Sequence, residues 1–300
     1  MLSVCIPLYN FDVTPLVKKL VEQSQQNFLT IEIMVFDDGS THSYKELNRS
    51  IKEYKEVVYL ELEKNLGSAA IRNKLASEAK YDKILFLDSD SDIHPAFIKN
   101  YLPFLSEDHS IVYGGRVHPK ELPSFDKSLR WKVGKIKEDH NAAQRSKVPN
   151  KSFMSNNFLV QKELFKRIAF DETIERSGHE DTMYGIELEL KGIKIVHIDN
   201  PVVHIGLESN DEFISKTKQR LETLKFLSDK HKDNHLLDKR ITILKYFNLA
   251  KSFKLISLFS VMYKLTQKAI EKNLCTKNPS MLLYDLYKLG YYSKLTKQNS

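Results

Sequence analysis

The chain is short of the residues that build covalent or membrane scaffolds. Its 300 residues include only two cysteines, Cys5 and Cys275, far apart and set among apolar or basic neighbours. That excludes a disulfide framework and a cysteine-ligated metal site. No uncharged run approaches the roughly twenty apolar residues that a bilayer-spanning helix needs. The opening residues, MLSVCIPLYN, have no basic leader followed by a long apolar region, so they do not read as a secretory signal. The expected location is the cytoplasm. Internal repeats and low-complexity segments are also missing.

What is present is a globular composition. Hydrophobic residues make up 41% of the chain, enough for the core of one large domain or a domain with a helical appendage. The net charge of +7 is unevenly spread: residues 1–210 hold 28 Lys/Arg against 31 Asp/Glu, and residues 211–300 hold 18 against 8. A near-neutral body with a basic, aromatic end points to a surface contact made by one part. The tail carries no recognisable nucleic-acid module, so no nucleic-acid partner is expected.

Over the first hundred residues, strand-like SVCIPLYN, IEIMVFDDGS, VVYLELEKN and KILFLDSDSD alternate with amphipathic VTPLVKKLVEQSQQ, YKELNRSIKEY and GSAAIRNKLASEAK. This alternation predicts an α/β fold, with right-handed crossovers and a mainly parallel sheet covered by helices on both faces. Ligands collect at the carboxyl ends of such strands, where Tyr9, Asn10, Asp37, Asp38, Asn65, Asp88 and Asp90 fall. Residues 118–150 show no sustained period and read as a long loop. SIVYGGRV and SFMSNNFLVQ read as further strands, and ERSGHEDTMYGIELELKG as a loop opening a helix near Glu180. KIVHI and PVVHIG read as two short strands or one interrupted strand. From about Asp211 the pattern is helical, with a break near Asn278-Pro279.

In ILFLDSDSDIHP an apolar run meets Asp88, Asp90 and Asp92 with only serines between. Buried acids need a positive partner. Two carboxylates at i and i+2 reach one hard cation if the chain turns at the strand end, and Mg²⁺ or Mn²⁺ favours such oxygens. The alternative is a solvated turn with acidic caps on the helix beginning near Pro95, and Asp92 fits that better.

Together, PLYN (7–10), FDDGS (36–40), NLGSAAIRN (65–73), LDSD (87–90) and GHED (178–181) resemble the GT-A glycosyltransferases of the large group called family two. None of these stretches is specific alone; their order and their place at strand ends carry the resemblance. It implies a GT-A catalytic domain over 1–210, with a nucleotide-binding half to about 117 and an acceptor half over 118–210, followed by a helical region at 211–300. It further implies that Pro7, Tyr9, Asn10, Asp38, Asn65, Gly67, Arg72, Asp88 and Ser89 bind a UDP-sugar, with Asp38 accepting from the uracil ring N–H. Asp90 would touch Mn²⁺ or Mg²⁺ on the donor diphosphate, and Asp181 would be the base of an inverting transfer, with Glu180 beside it. The run from Ser177 to Gly192 is similar to the galactosyltransferase-like branch, which implies that His204 in PVVHIG is a further metal ligand. His197 competes for that place.

SNNF at 155–158 and GGRVH at 114–118 are expected to line the sugar pockets, Asn156 and Asn157 because amides both donate to and accept from hydroxyls, and Trp131 by stacking on a pyranose. The acceptor is expected to be a saccharide or lipid-linked saccharide of a bacterial surface polysaccharide. Residues 239–300 hold 12 Lys/Arg against Glu271 and Asp285, with aromatics interleaved. In KYFNLAKSFKLISLFSVMYKLTQKAI, Leu249, Phe253, Ile256 and Val261 fall on one helical stripe. That stripe suits a headgroup layer on the inner face of the membrane, or packing on the catalytic domain or a second subunit in a homodimer. Two other classes compete: a sugar-nucleotide-forming nucleotidyltransferase, whose glycine-rich phosphate loop has no counterpart in PLYNFDVT, and a non-catalytic sugar or lipid binder.

Overall fold

The computed structural model describes residues 1–106, 111–174, 178–231 and 235–297. Ser110 and Ser177, which open two of the stretches named above, lie outside them. The chain separates into two compact units. One comprises Met1–His118, Glu138–Glu175 and Glu180–Gly206; the other comprises Pro119–Lys137, Arg176–His179 and Leu207–Ser300.

The first unit is built on a sheet of β1 (Leu2–Leu8), β2 (Ile31–Asp37), β3 (Val57–Glu61), β4 (Lys83–Leu87), β6 (Ile111–Tyr113), β8 (Asn157–Gln161) and β9 (Val196–His197), in the order β3-β2-β1-β4-β8-β6-β9. β3, β2, β1 and β4 run parallel, and β8 is antiparallel to both β4 and β6. β1 is LSVCIPL, almost wholly buried, as a strand covered on both faces must be. The parallel strands are joined through α1 (Thr14–Gln26), α2 (His42–Asn48) and α3 (Ser68–Glu78). α1 opens with Pro15 in its first turn, where a missing N–H costs nothing, and buries Leu16, Val17, Leu20 and Val21. The other face packs around Phe86, Phe158 and Phe165, with Phe86 and Phe158 stacked at 4.8 Å. Helices α4 (Phe97–Tyr101), α5 (Pro103–Ser106), α7 (Ala142–Arg145), α8 (Lys162–Arg167) and α9 (Glu180–Leu190) complete this unit.

A second, small sheet has only three strands: β5 (Ser91–Asp92), β7 (Arg116–Val117) and β10 (Val202–His204), in the order β5-β10-β7. KIVHI and PVVHIG are therefore two strands in two different sheets. Asn200 holds the crossing between them: its side-chain N–H donates to Phe97 O at 3.0 Å, and its backbone N–H to Gly114 O at 3.1 Å.

The second unit contains α6 (Ser128–Lys137) and α10 (Asn210–Lys230), α11 (His235–Arg240), α12 (Thr242–Ser252), α13 (Ile256–Leu274) and α14 (Met281–Lys297). Two expectations are corrected here. The expected loop over 118–150 contains α6 and α7, and residues 119–137 belong with the helical unit rather than the acceptor half. α6 buries Ser128, Leu129, Arg130, Val133 and Gly134. Its buried Arg130 faces Glu208 at 3.3 Å, and Leu129 N–H donates to Asn210 Oδ1 at 2.9 Å, so a charged sequence packs as a helix. The single amphipathic helix expected over residues 245–270 is also broken. Ser252 ends α12, Lys254 takes φ +58°, and Ile256 starts α13, so Leu249, Phe253, Ile256 and Val261 do not form one stripe.

Candidate active site

At the carboxyl ends of β1 and β2 the loops are stitched by side chains. Asp37 accepts from Ser40 N–H at 2.7 Å and from the Tyr59 hydroxyl at 3.3 Å, a structural role. Asn10 takes φ +48°, which Asn tolerates better than most residues; its amide oxygen accepts from Thr41 N–H at 2.8 Å. Asp38 is buried, and its two oxygens accept from the Leu66 and Gly67 N–H groups at 2.7 and 3.1 Å. Burial raises its pKa against those two hydrogen bonds. Each oxygen keeps a second lone pair, so the carboxylate shapes the Gly67 turn while remaining an acceptor. Gly67 itself has φ +87°, and Asn65 closes the loop by donating to Asp38 O at 2.9 Å. Pro7 is half-buried, and Tyr9 is exposed.

Arg72, on α3, organises the next layer. Its guanidinium is buried, grips Asp88 Oδ1 at 2.5 Å, and donates to Ser68 O at 2.9 Å. Burial works against its charge, but Asp88, Asp181 and Glu180 more than offset that and hold it protonated above the ordinary arginine range. Ser68 Oγ in turn donates to Glu180 Oε1 at 3.0 Å. The segment that brings Glu180 and Asp181 here turns through two left-handed residues, Gly178 at φ +115° and His179 at φ +71°, then enters α9. That helix is pinned by Tyr184, stacked on Phe170 at 4.5 Å. Asp181 lies in its first turn, half-buried. Desolvation first, then the charge of Glu180, push its carboxyl up to about 6, against the pull of Arg72 and a hydrogen bond from Ser155.

Among the described residues, Asp181 Oδ1, the Tyr184 hydroxyl, Arg72 Nε and both amide atoms of Asn156 are buried without a hydrogen-bond partner. Such orphans cost about 1–3 kcal/mol each, and Asp181 Oδ1, within the electrostatic reach of Arg72, is one that a polar ligand would satisfy.

The acidic turn after β4 is tight: Ser91 N–H donates to Asp88 O at 3.2 Å around Ser89 and Asp90. The small sheet then fixes what faces Asp90. Ser91 pairs with His204 in the β5–β10 register, and Ile205 N–H donates to Asp90 O at 2.9 Å. His204 Nε2 consequently lies 2.9 Å from Asp90 Oδ2. Gly206 permits this approach, because a Cβ there would come within 2.6 Å of Asp90 Oδ2. Two cis ligands on an octahedral ion, each at about 2.1 Å, stand ~3 Å apart, so this oxygen and nitrogen fit a divalent cation. Among the described residues no cluster of three or more His, Cys, Asp or Glu could enclose a metal, so most of such an ion's positions would belong to water and phosphate oxygens. Asp92 points elsewhere, in an ion pair with Lys19.

His197 is not a comparable ligand. Its Nε2 lies 2.9 Å from Pro149 O and its Nδ1 accepts from Arg145 Nε at 3.2 Å; burial, despite the Pro149 contact, pushes its pKa down to about 4. Asn157 corrects an expectation. Fully buried, it donates to Gly115 O and Asn200 O at 3.0 and 2.9 Å and accepts from the Tyr101 hydroxyl at 2.8 Å, so its amide ties the scaffold together. Trp131 does too: it sits on α6 of the helical unit rather than in a loop, and its indole N–H donates to Pro119 O at 2.8 Å. Sequence reading did not single out Ser68, Ser155 or Asp139. Short polar residues at a helix start or in a loop carry no periodic signal, and only the fold brings Ser68 to Glu180, Ser155 to Asp181 and Asp139 to His118.

Comparison with known proteins bears on the family and the fold. The family profile described as Glycosyl transferase family 2 matches residues 3–169. A chondroitin synthase of Escherichia coli is 25% identical over 224 residues, which are 64% of this chain and 32% of that protein; the chain therefore spans about a third of that relative. A mannosyltransferase from Pyrobaculum calidifontis, in complex with GDP-Man and Mn²⁺, superposes with TM-score 0.56 at 14% identity, covering 99% of this chain and 86% of that one. S. aureus TarS 1-349 in complex with UDP superposes with TM-score 0.51 at 17% identity, covering 100% and 92%. The two structures carry the likeness of fold, and the profile, matching more than half of the residues, carries the relationship: the chain belongs to glycosyl transferase family 2.

Proposed function

We propose that the protein is an inverting glycosyltransferase that moves a hexose or N-acetylhexosamine from a UDP-sugar to a saccharide acceptor in the assembly of a bacterial surface polysaccharide. The observation that carries this reading is Arg72, a buried cation that grips Asp88 while lying within the electrostatic reach of Asp181. It ties the donor side of the site to an acid whose pKa is suited to accept a proton near neutral pH. In this reading Asp181 takes the proton from the acceptor hydroxyl as that oxygen attacks the anomeric carbon, opposite the leaving nucleotide. Glu180, fixed by Ser68, positions the acceptor. Asn156 offers its unpartnered amide to a sugar hydroxyl, and the turns bearing Pro7, Tyr9, Asn10, Asp38, Asn65, Gly67 and Ser89 receive the nucleotide. Asp90 and His204 would hold Mn²⁺ or Mg²⁺, which would supply positive charge against the diphosphate. The chondroitin synthase, by its name, supports a saccharide acceptor, and the nucleotides in the two fold neighbours support a nucleotide-sugar donor.

Thermal-shift screening tests the donor. UDP with Mn²⁺ should raise the melting temperature more than UDP or Mn²⁺ alone, because ligands bound only to the folded state stabilise it by mass action. Equal shifts with and without the ion would remove the metal from the reading, and preference for another nucleotide would replace the donor.

The same reading places the enzyme at a membrane surface. No helix among the described residues is long and apolar enough to cross a membrane. On α13, however, Leu258, Val261, Met262 and Leu265 follow helical spacing and are all exposed, Leu265 at 80%, with exposed Lys254, Lys264 and Lys268 alongside. An apolar stripe edged by lysines suits an anionic headgroup layer; a second copy laid on it would set lysine against lysine. Full-length protein should float with phosphatidylglycerol-containing liposomes and not with neutral ones, and Val261→Asp/Leu265→Asp should stay at the bottom of the gradient. Equal flotation of that variant would discard the stripe.

A further inference from the structure

His204 ends a three-residue strand, and its ring plane is set only if the nitrogen away from Asp90 is also held. That nitrogen, Nδ1, lies 3.4 Å from His118 Nε2, and the two rings meet edge to face with centroids 5.4 Å apart. The small sheet brings them together: Val203 pairs with Val117 in parallel register, so the next residues along the two strands, His204 and His118, come to stand side by side. His118 is only 2% exposed. Its Nδ1 is 2.6 Å from Asp139 Oδ1, and its backbone N–H donates to Asp139 Oδ2 at 3.2 Å. Glu138, whose Oε2 is 3.6 Å from His118 Nε2, is paired with Arg116 at 2.5 Å.

A carboxylate can only accept. His118 Nδ1 therefore carries the proton toward Asp139, and its Nε2 can accept from His204 Nδ1–H. Without a cation the same rule puts the His204 proton on Nε2, donated to Asp90. With a cation in that place the proton would sit on Nδ1, donated to His118, and Nε2 would turn its lone pair to the ion, the form a cation needs. Metal-binding histidines almost always have their other ring N–H held in this way, and losing the holder typically weakens binding by about 10–100-fold.

We propose that His118 and Asp139 are positioning residues that fix the tautomer and ring plane of His204, so that its Nε2 joins Asp90 on a divalent cation. The inference rests on the metal reading given above. Its test is a Mn²⁺ titration of the full chain with UDP present, following the electron paramagnetic resonance signal of the free aquo ion. His204→Ala should lose Mn²⁺ binding. His118→Phe keeps a ring in the edge-to-face contact but offers no acceptor, and should weaken Mn²⁺ binding about 10–100-fold. His118→Gln returns an acceptor oxygen and should recover most of that loss, which a role in packing alone would not produce. Asp139→Leu, a second route to the same effect should His118→Phe fail to fold, should also weaken Mn²⁺. Metal-free UDP binding should be unchanged in all of them. His118→Phe and Asp139→Leu binding Mn²⁺ within twofold of the wild type, with His204→Ala still deficient, would overturn the role of His118 and leave the metal site standing. Failure of the wild type to take up Mn²⁺ would instead overturn the metal site and the inference together.

Discussion

Asp181→Asn should bind UDP as the wild type does and lose transfer by about 10²–10⁴-fold, the range that a positioned general base contributes. The amide keeps the shape of the carboxyl group but cannot take a proton. Because burial and the charge of Glu180 push the Asp181 carboxyl up to about 6, wild-type kcat/KM should fall about tenfold per pH unit below that value and level off above it. The same shift has a sign in stability. A carboxyl whose folded pKa exceeds its unfolded one, 3.8, costs nothing below the unfolded value, and its cost grows as pH rises to the folded value. Ionised Asp181 thus destabilises the folded protein at neutral pH. Asp181→Asn should accordingly melt higher than the wild type at pH 7 and no higher at pH 4. Full transfer by this variant, or a pH profile flat down to 4, would remove Asp181 from its role.

Asp90→Ala is the other large effect. It takes away one of two protein groups standing 2.9 Å apart, and a lone imidazole is a poor site for a hard cation. Mn²⁺ should then no longer strengthen UDP binding. Transfer should drop ~10³-fold or more, since charge stabilisation by a metal amounts to several kcal/mol. Asp92→Ala, two residues on, is the contrast: its carboxylate pairs with a part-exposed Lys19, an arrangement worth about 0–1 kcal/mol, and activity should change less than threefold. A Mn²⁺ effect on UDP binding that survives in Asp90→Ala would sink the assignment of this acid.

The parallel half of the fold was legible because its signals are local. β1 and β4 are buried apolar runs, the helices between strands carry their own period, and the acids fall where the strands stop. The positions of Asp88 and Asp90 needed no more than that, whereas Asp181 opens a helix and its place in the site was implied by the family pattern. His204 was legible only through the family pattern, since a histidine in VVH looks the same as one in IVH. What separates it from His197 is that β9 and β10 belong to different sheets, a fact of pairing between distant segments. α6 was hidden because Arg130 occupies a buried position and is neutralised by Glu208, far along the chain. Asn157 misled for a related reason: an amide beside a site is as useful to the backbone as to a ligand, and sequence does not say which claims it first.

The chain leaves the first unit after His118 and rejoins it at Glu138. The two ends of this excursion are fastened by Arg116 to Glu138 and His118 to Asp139. The nineteen residues between them act as a cassette clipped at its neck. Both fastenings lie in the first unit, so a substitution among the nineteen residues that leaves Arg116, His118, Glu138 and Asp139 in place leaves the neck closed.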